Sequence, residues 1–275
     1  MRRLAVALAL AATLVPARPA GAGDFWDEVR TPGLKLWRAT MREARTALRN
    51  RRFGVARNRA NDAIELLPER AEAYVVRGLA AGAEGQLDAA RDDLRTALAR
   101  DPAVLDDPLD GYGARAAEVL ARAGATDDAV AVLARVLGSM RAGGGRRVLF
   151  GLYGDLLQML GPERLDDALR AYREALRGGV GDPGVQLGLA LAEHRQGLLD
   201  ASAATARRAV ARGNVLLIAS ARRVPGHEQA ARRAVGLMAM GDLRGARTAW
   251  RDVAAVEGPW QAHAEGALRA LGRGR

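Results

Sequence analysis

The stretch Ala71–Pro102, AEAYVVRGLAAGAEGQLDAARDDLRTALARDP, reads as two amphipathic helices separated by a turn at Gly85. In the first, Tyr74, Gly78 and Ala81 recur at three- and four-residue spacing and share one helical face; in the second, Ala90, Leu94 and Ala97 do the same. Two such faces bury their apolar surface by packing together. Gly78 and Ala90 are small enough to let the backbones approach, Tyr74 and Leu94 fill the space beside them, and Asp101-Pro102 stops the second helix because proline cannot supply the next backbone N–H.

The same order appears 34 residues upstream. Ala44 and Ala47 lie on the inward face of a first helix, Ala56, Ala60 and Ala63 on that of a second, and Pro68 stands where Pro102 does. One such unit could be an ordinary helical hairpin, whereas a repeated one signals a stacked array. In these residues the chain resembles the tetratricopeptide repeat family. The resemblance implies an all-α, right-handed superhelical solenoid of antiparallel helix pairs, without catalytic activity, that binds a protein or peptide segment.

Outward from this core, the pattern predicts five to six repeats. A loop over Leu105–Gly113 precedes a third unit carrying Ala117, Leu120, Ala129, Leu133 and Val136, with Thr126 as hydroxyl cap of its second helix. The glycines in 138–146 read as a flexible connection; with no preceding strand and no Gly-Lys-Ser/Thr ending they do not read as a phosphate loop. Phe150, Tyr153, Gly154 and Leu157, then Ala168, Tyr172 and Ala175, mark a fourth unit, and Asp182-Pro183 opens a fifth with Leu189, Ala190, Ala206 and Ala209. Residues 213–228 interrupt the register as an inserted short helix or packed loop. A sixth unit follows with Ala230, Ala234, Leu237, Ala246, Trp250 and Val253, and a capping helix from Pro259 is expected to fold Trp260 back on Trp250. The turns are anchored at Arg51, Gly85, Gly124, Gly161, Gly197 and Gly241. The division expected is a signal peptide (1–22), a lead-in (23–35), repeats one to three (36–137), the glycine-rich connection, repeats four to six (147–258) and a cap with its tail (259–275).

Arg2-Arg3, the apolar run Leu4–Val15 and the small residues Ala20-Gly21-Ala22 have the layout of a cleaved export signal, which places the mature chain in the periplasm or outside the cell. An uncleaved anchor is the alternative. Phe25 and Trp26 then either cover the open end of the first repeat or dock into a partner. With no cysteine, neither acylation at the cleavage site nor a disulfide is available. The formal charge of +10 falls to +7 once Arg2, Arg3 and Arg18 are removed, 39 basic residues facing 32 acidic ones. Lys35 is the sole lysine and the arginines are scattered over many helices, so nucleic acid is not an expected partner.

Catalytic chemistry finds no constellation in this sequence. His194, His227 and His263 are far apart, no pair has zinc-ligand spacing, and Ser139, Ser202 and Ser220 lack nucleophile-elbow surroundings. The acid pairs Asp92-Asp93, Asp127-Asp128 and Asp166-Asp167 sit at or near helix starts, where the dipole favours them. No enzyme, cofactor or metal is therefore expected. The resemblance implies instead that a second stripe on each first helix lines a concave groove: Arg38, Met41, Arg45 and Leu48; Glu72, Val75, Leu79 and Gly82; Glu118; Asp155 and Gln158; Leu187, Leu191 and His194; and Val235 and Met238. Such a groove would be basic early, acidic in the middle and apolar late. Leu187 and Leu191 can equally pack against the neighbouring repeat. The expected role is an adaptor in a cell-envelope assembly, a self-assembling structural component being the alternative; the oligomeric state is left open. Mass spectrometry of the exported protein should find an N-terminus near Gly23, whereas retention of Met1 would indicate an anchor.

Overall fold

The computed structural model describes residues 31–106, 111–141, 143–178, 181–222 and 224–273; the stretch expected to be an export signal, Phe25 and Trp26 lie outside them. Among the described residues the regular structure is helical throughout. Three hairpins come first: α1 (Leu34–Arg49) with α2 (Phe53–Leu66), α3 (Ala71–Ala83) with α4 (Leu87–Arg100), and α5 (Tyr112–Arg122) with α6 (Thr126–Ser139). Three more follow: α7 (Gly144–Leu160) with α8 (Leu165–Leu176), α9 (Pro183–Arg195) with α10 (Leu199–Val210), and α12 (Gly226–Ala239) with α13 (Leu243–Ala254). The short α11 (Val215–Ser220) is inserted before the last pair, and α14 (Gln261–Arg273) closes the chain against α13.

Five of the six hairpins turn in the same way, and the turn is a local consequence of sequence. Arg51, Gly85, Gly124, Gly197 and Gly241 have φ of 58, 83, 77, 81 and 82°, the left-handed conformation. The next residue's N–H then donates five residues back, from Arg52 to Ala47, Gln86 to Ala81, Ala125 to Leu120, Leu198 to Glu193 and Asp242 to Leu237, at 2.8 to 3.0 Å. This is the Schellman termination, which satisfies an orphaned carbonyl and leaves the chain aimed back along the helix. Gly161 departs from the set, with φ 137° and a 3₁₀ turn over Pro162–Arg164. The same motif corrects the expected cap of the third unit: Ala125, not Thr126, stands at the N-cap of α6, without a side-chain bond, because the turn at Gly124 has already set where the helix begins.

Within each hairpin the small residues do what their spacing implies. A Cβ on Gly78 would lie 3.1 Å from the Ala90 carbonyl and from Leu94 Cγ, so α3 and α4 touch through backbone. Gly154 and Gly188 flank the fully buried Tyr172, a Cβ on either coming within 2.7 or 2.9 Å of its ring. Arg77 grips Asp93 of its own hairpin with two hydrogen bonds at 2.6 and 2.9 Å and reaches Asn61 in the preceding unit, while the Arg57–Glu84 and Arg95–Asp128 ion pairs tie neighbouring units. The expected connection at 138–146 is shorter than its glycines suggest, since α6 runs through Gly138 and α7 starts at Gly144.

Helix α9 joins the two halves. Asp182 caps it by accepting from the Gly184 N–H at 2.8 Å and Pro183 occupies its first turn. Eleven of its thirteen residues are buried, so it is packed on all sides. Val185, Leu189 and Ala192 belong to the apolar core that extends from α1, and Leu187, Ala190 and Leu191 to the one that extends to α14.

Arg51 is the only non-glycine residue at positive φ among those described, although its four counterparts are glycines. Arg51→Gly should therefore stabilise the chain by about 1 kcal/mol, read as a higher urea midpoint with an unchanged slope.

Candidate functional site

The concave stripe expected from the sequence is largely closed. Met41, Leu48, Val75, Leu79, Leu187 and Leu191 are each 3% exposed or less and pack between helices instead of facing a channel. The reason is the close approach of successive first helices: a Cβ on Gly82 of α3 would stand 2.7 Å from both methyls of Val119 on α5. Apolar side chains at this offset then interdigitate. Arg38, Arg45, Glu72 and Glu118 are half-buried. Asp155 and Gln158, expected to line the acidic middle of the groove, are buried as well.

Asp155 lies at the centre of an ionic network. Its carboxylate accepts from Tyr172 Oη at 2.9 Å, from Arg232 Nη2 at 2.6 Å, and from Arg222 Nε and Nη2 at 2.9 and 2.6 Å. Beside it Glu228 accepts from both Arg195 Nη atoms at 3.2 and 3.0 Å and from Gln158 Nε2 at 2.6 Å. These groups come from α7, α8, α9, α12 and the segment after α11, so the network binds three repeats together. Burial, then the nearby Asp155 charge, pushes the Tyr172 hydroxyl well above its ordinary range and keeps it a donor. Burial opposes the charge on Arg232, yet Asp155 more than offsets it and the guanidinium stays protonated. Burial lowers Arg195, with Glu228 acting against that shift.

One groove in this region is open. It has a volume of about 880 Å³ and lies between α10, α12 and α14. Leu199, Ala203, Val235, Met238, Ala267 and Leu271 supply apolar walls, while His194 and His263 stand at its polar end. His194 is thus the residue of the expected groove set that lines this cavity; of the wider stripe, Val235 and Met238 also reach it. His194 Nδ1 and His263 Nε2 are 3.0 Å apart, one donating to the other. Trp250 stacks on His194 with ring centroids 5.3 Å apart and gives its indole N–H to Met238 Sδ at 3.4 Å. Trp260 does not fold onto Trp250 as the sequence suggested. Its Nε1 donates to the Gln158 carbonyl at 2.8 Å, Arg195 covers its ring at 3.8 Å, and His263 sits edge-on to both tryptophans.

Burial, then Arg195, lowers His194 to about 4; burial, then His194 and Arg195, does the same for His263. Both rings are therefore neutral at pH 7. His227 lies apart, in a shallow cavity beside α11. His263 escaped sequence reasoning because it is 69 residues from His194 and no local motif links the two. Among the described residues no three His, Cys, Asp or Glu side chains gather to hold a metal, and no helix is long and apolar enough to cross a membrane.

Residues 41–104 and 162–215 match the tetratricopeptide repeat family model. These two stretches carry tetratricopeptide repeats. Among solved structures, this chain is similar to pilF of Pseudomonas aeruginosa, with 13% identity, 85% of this chain and 98% of that one covered, and a TM-score of 0.49. It is also similar to YrrB, a TPR protein with an unusual peptide-binding site (17% identity, 76% and 97% covered, TM-score 0.45), and to the TPR2AB domain of yeast Sti1 in its pHSP90 complex (14%, 88% and 100%, 0.33). No curated protein sequence matches the chain.

Removing one partner of a buried ion pair strands the others in low dielectric. Asp155→Asn should cost about 3–5 kcal/mol by chemical denaturation, whereas Asp62→Asn, which only loosens the exposed Arg59–Asp62 pair, should cost less than about 1 kcal/mol.

Proposed function

We propose that this chain is an exported, non-catalytic tetratricopeptide repeat scaffold that holds a protein or peptide segment, acting as an adaptor in a cell-envelope assembly. Tetratricopeptide repeat proteins generally mediate protein–protein interaction. The observation that carries the reading is the open apolar groove between α10, α12 and α14, with a volume of about 880 Å³. Its walls of leucine, valine, methionine and alanine suit the apolar face of an inserted segment, and a neutral imidazole pair at one end can offer or accept a hydrogen bond. The arginine-rich composition does not argue for nucleic acid, because many arginines are spent on ion pairs within and between repeats. Placement in the envelope is supported by the signal-like residues 2–22.

Leu199 is 59% exposed and Ala270 lines the same groove from α14, so both accept substitution without disturbing a core. Crosslinking from envelope fractions should recover one partner with the native mature chain and lose it with Leu199→Glu, Ala270→Glu. Persistence of the partner would place binding elsewhere on the array. A concentration-dependent rise in mass by light scattering, with no other protein captured, would favour self-assembly.

A further inference from the structure

Helix α14 is joined to α13 by the short segment 255–260 and is held to the interior of the last three repeats at its N-terminal end. Three ties act there: the Trp260 indole N–H to the Gln158 carbonyl, the Arg195 guanidinium over the Trp260 ring, and the His194–His263 hydrogen bond. At the other end Arg247 donates to the Leu271 carbonyl at 2.6 Å. Of these ties the imidazole pair is the one whose groups, once released to solvent, take up protons between neutral and mildly acidic pH.

We propose that the His194–His263 pair is a pH-sensitive latch, which keeps α14 docked over the inner face of the last repeats at neutral pH and releases it on acidification while the rest of the array stays folded. Release would uncover Trp260 and dismantle the α14 wall of the groove. The inference concerns the docking of α14 and stands whether or not the groove binds a partner.

The chemistry follows from the contact. Two neutral imidazoles share one N–H, which one ring donates and the other accepts. A first proton leaves a donor and an acceptor but places charge in a buried site beside Arg195; a second leaves two facing donors and no acceptor. The surrounding charges do not favour these protons. From α9, Arg195 opposes them and is itself held by Glu228 of α12, while Glu193 is raised, first by burial and against a bond from Thr205. Arg232 of α12 and Asp155 of α7 are engaged with each other, and Arg247 of α13 with the Leu271 carbonyl. Asp200 of α10 is exposed at the rim of the groove, and Glu265 and Arg269 of α14 form an exposed pair at 3.9 Å.

The sign is set by comparing docked and released states. Both histidines titrate at about 4 when docked and return to about 6.5 when released, so the released form binds more protons between those values. Docking is then at full strength above pH 6.5, weakens as the pH falls, and levels off below about 4. At pH 5 the docking equilibrium should be lower by about 30-fold for each histidine than at pH 7.5.

The test is native-state hydrogen exchange of the mature chain at pH 7.5 and 5.0, corrected for the intrinsic rate at each pH. Amides of α14 should lose protection by about 30-fold or more at pH 5.0, while those of α3 keep theirs. In His194→Gln, His263→Gln the protection of α14 should be the same at both pH values. Parallel loss in α3 and α14, or a pH dependence that survives in the double variant, would overturn the latch. If that variant does not fold, imidazole titration of the native chain by NMR decides: values below 5 for both rings support the latch, and values near 6.5 refute it.

Discussion

Two buried carboxylates, Asp155 and Glu228, constrain the C-terminal half of this molecule more than any other contact. A charge removed from water must be paired and hydrogen-bonded, and the arginines that satisfy these two come from α9, α12 and the segment after α11. Apolar ridges tolerate sliding by part of a residue, but a carboxylate that accepts three or four directed hydrogen bonds does not. The network therefore sets how α12 sits relative to α7 across α9. Gln158 links the two ends of the arrangement: its side-chain amide N–H donates to Glu228 and its backbone carbonyl accepts from the Trp260 indole.

That constraint decides where surface is left over. With the inner faces of α1, α3 and α9 packed against neighbours, the usual stripe of an array has little area to offer, and charged positions such as Asp155 serve the interior. The open apolar surface is displaced to the last repeats, where α14 approaches at one wall and leaves a trough beside α10 and α12. Packing by small residues makes this possible. Glycines at 154 and 188 let α7 and α9 close on Tyr172, and the hydroxyl that results becomes part of the ionic network. Sequence, packing and site are linked here through one side chain.

Much of the array was legible before any coordinates. The inward residues of the first two units, Ala44, Ala56, Ala60, Ala63, Gly78, Ala90, Leu94 and Ala97, are all buried, because helical periodicity reports a face whatever that face meets. All six turn anchors read from the sequence have positive φ, including Arg51, which no glycine signal marked. Local pattern placed that residue by period alone. The site was legible only in part: the late, apolar end of the expected groove holds His194, Val235 and Met238, while Met41, Leu48, Val75 and Leu79 are core.

The sequence by itself determined the units, their turns and the face each helix buries against its own partner, since those follow from contacts between residues within about one repeat of each other. Only the tertiary structure decided how tightly successive units close, which depends on how Gly82 meets Val119 and how Asp155 meets arginines 67 and 77 residues further along the chain. It also decided the meeting of His194 with His263 and of Trp260 with Gln158, at separations of 69 and 102 residues. No periodic signal encodes such contacts. They arise when curvature accumulated over several repeats brings distant helices together, and a small change in the angle of each unit would have separated them.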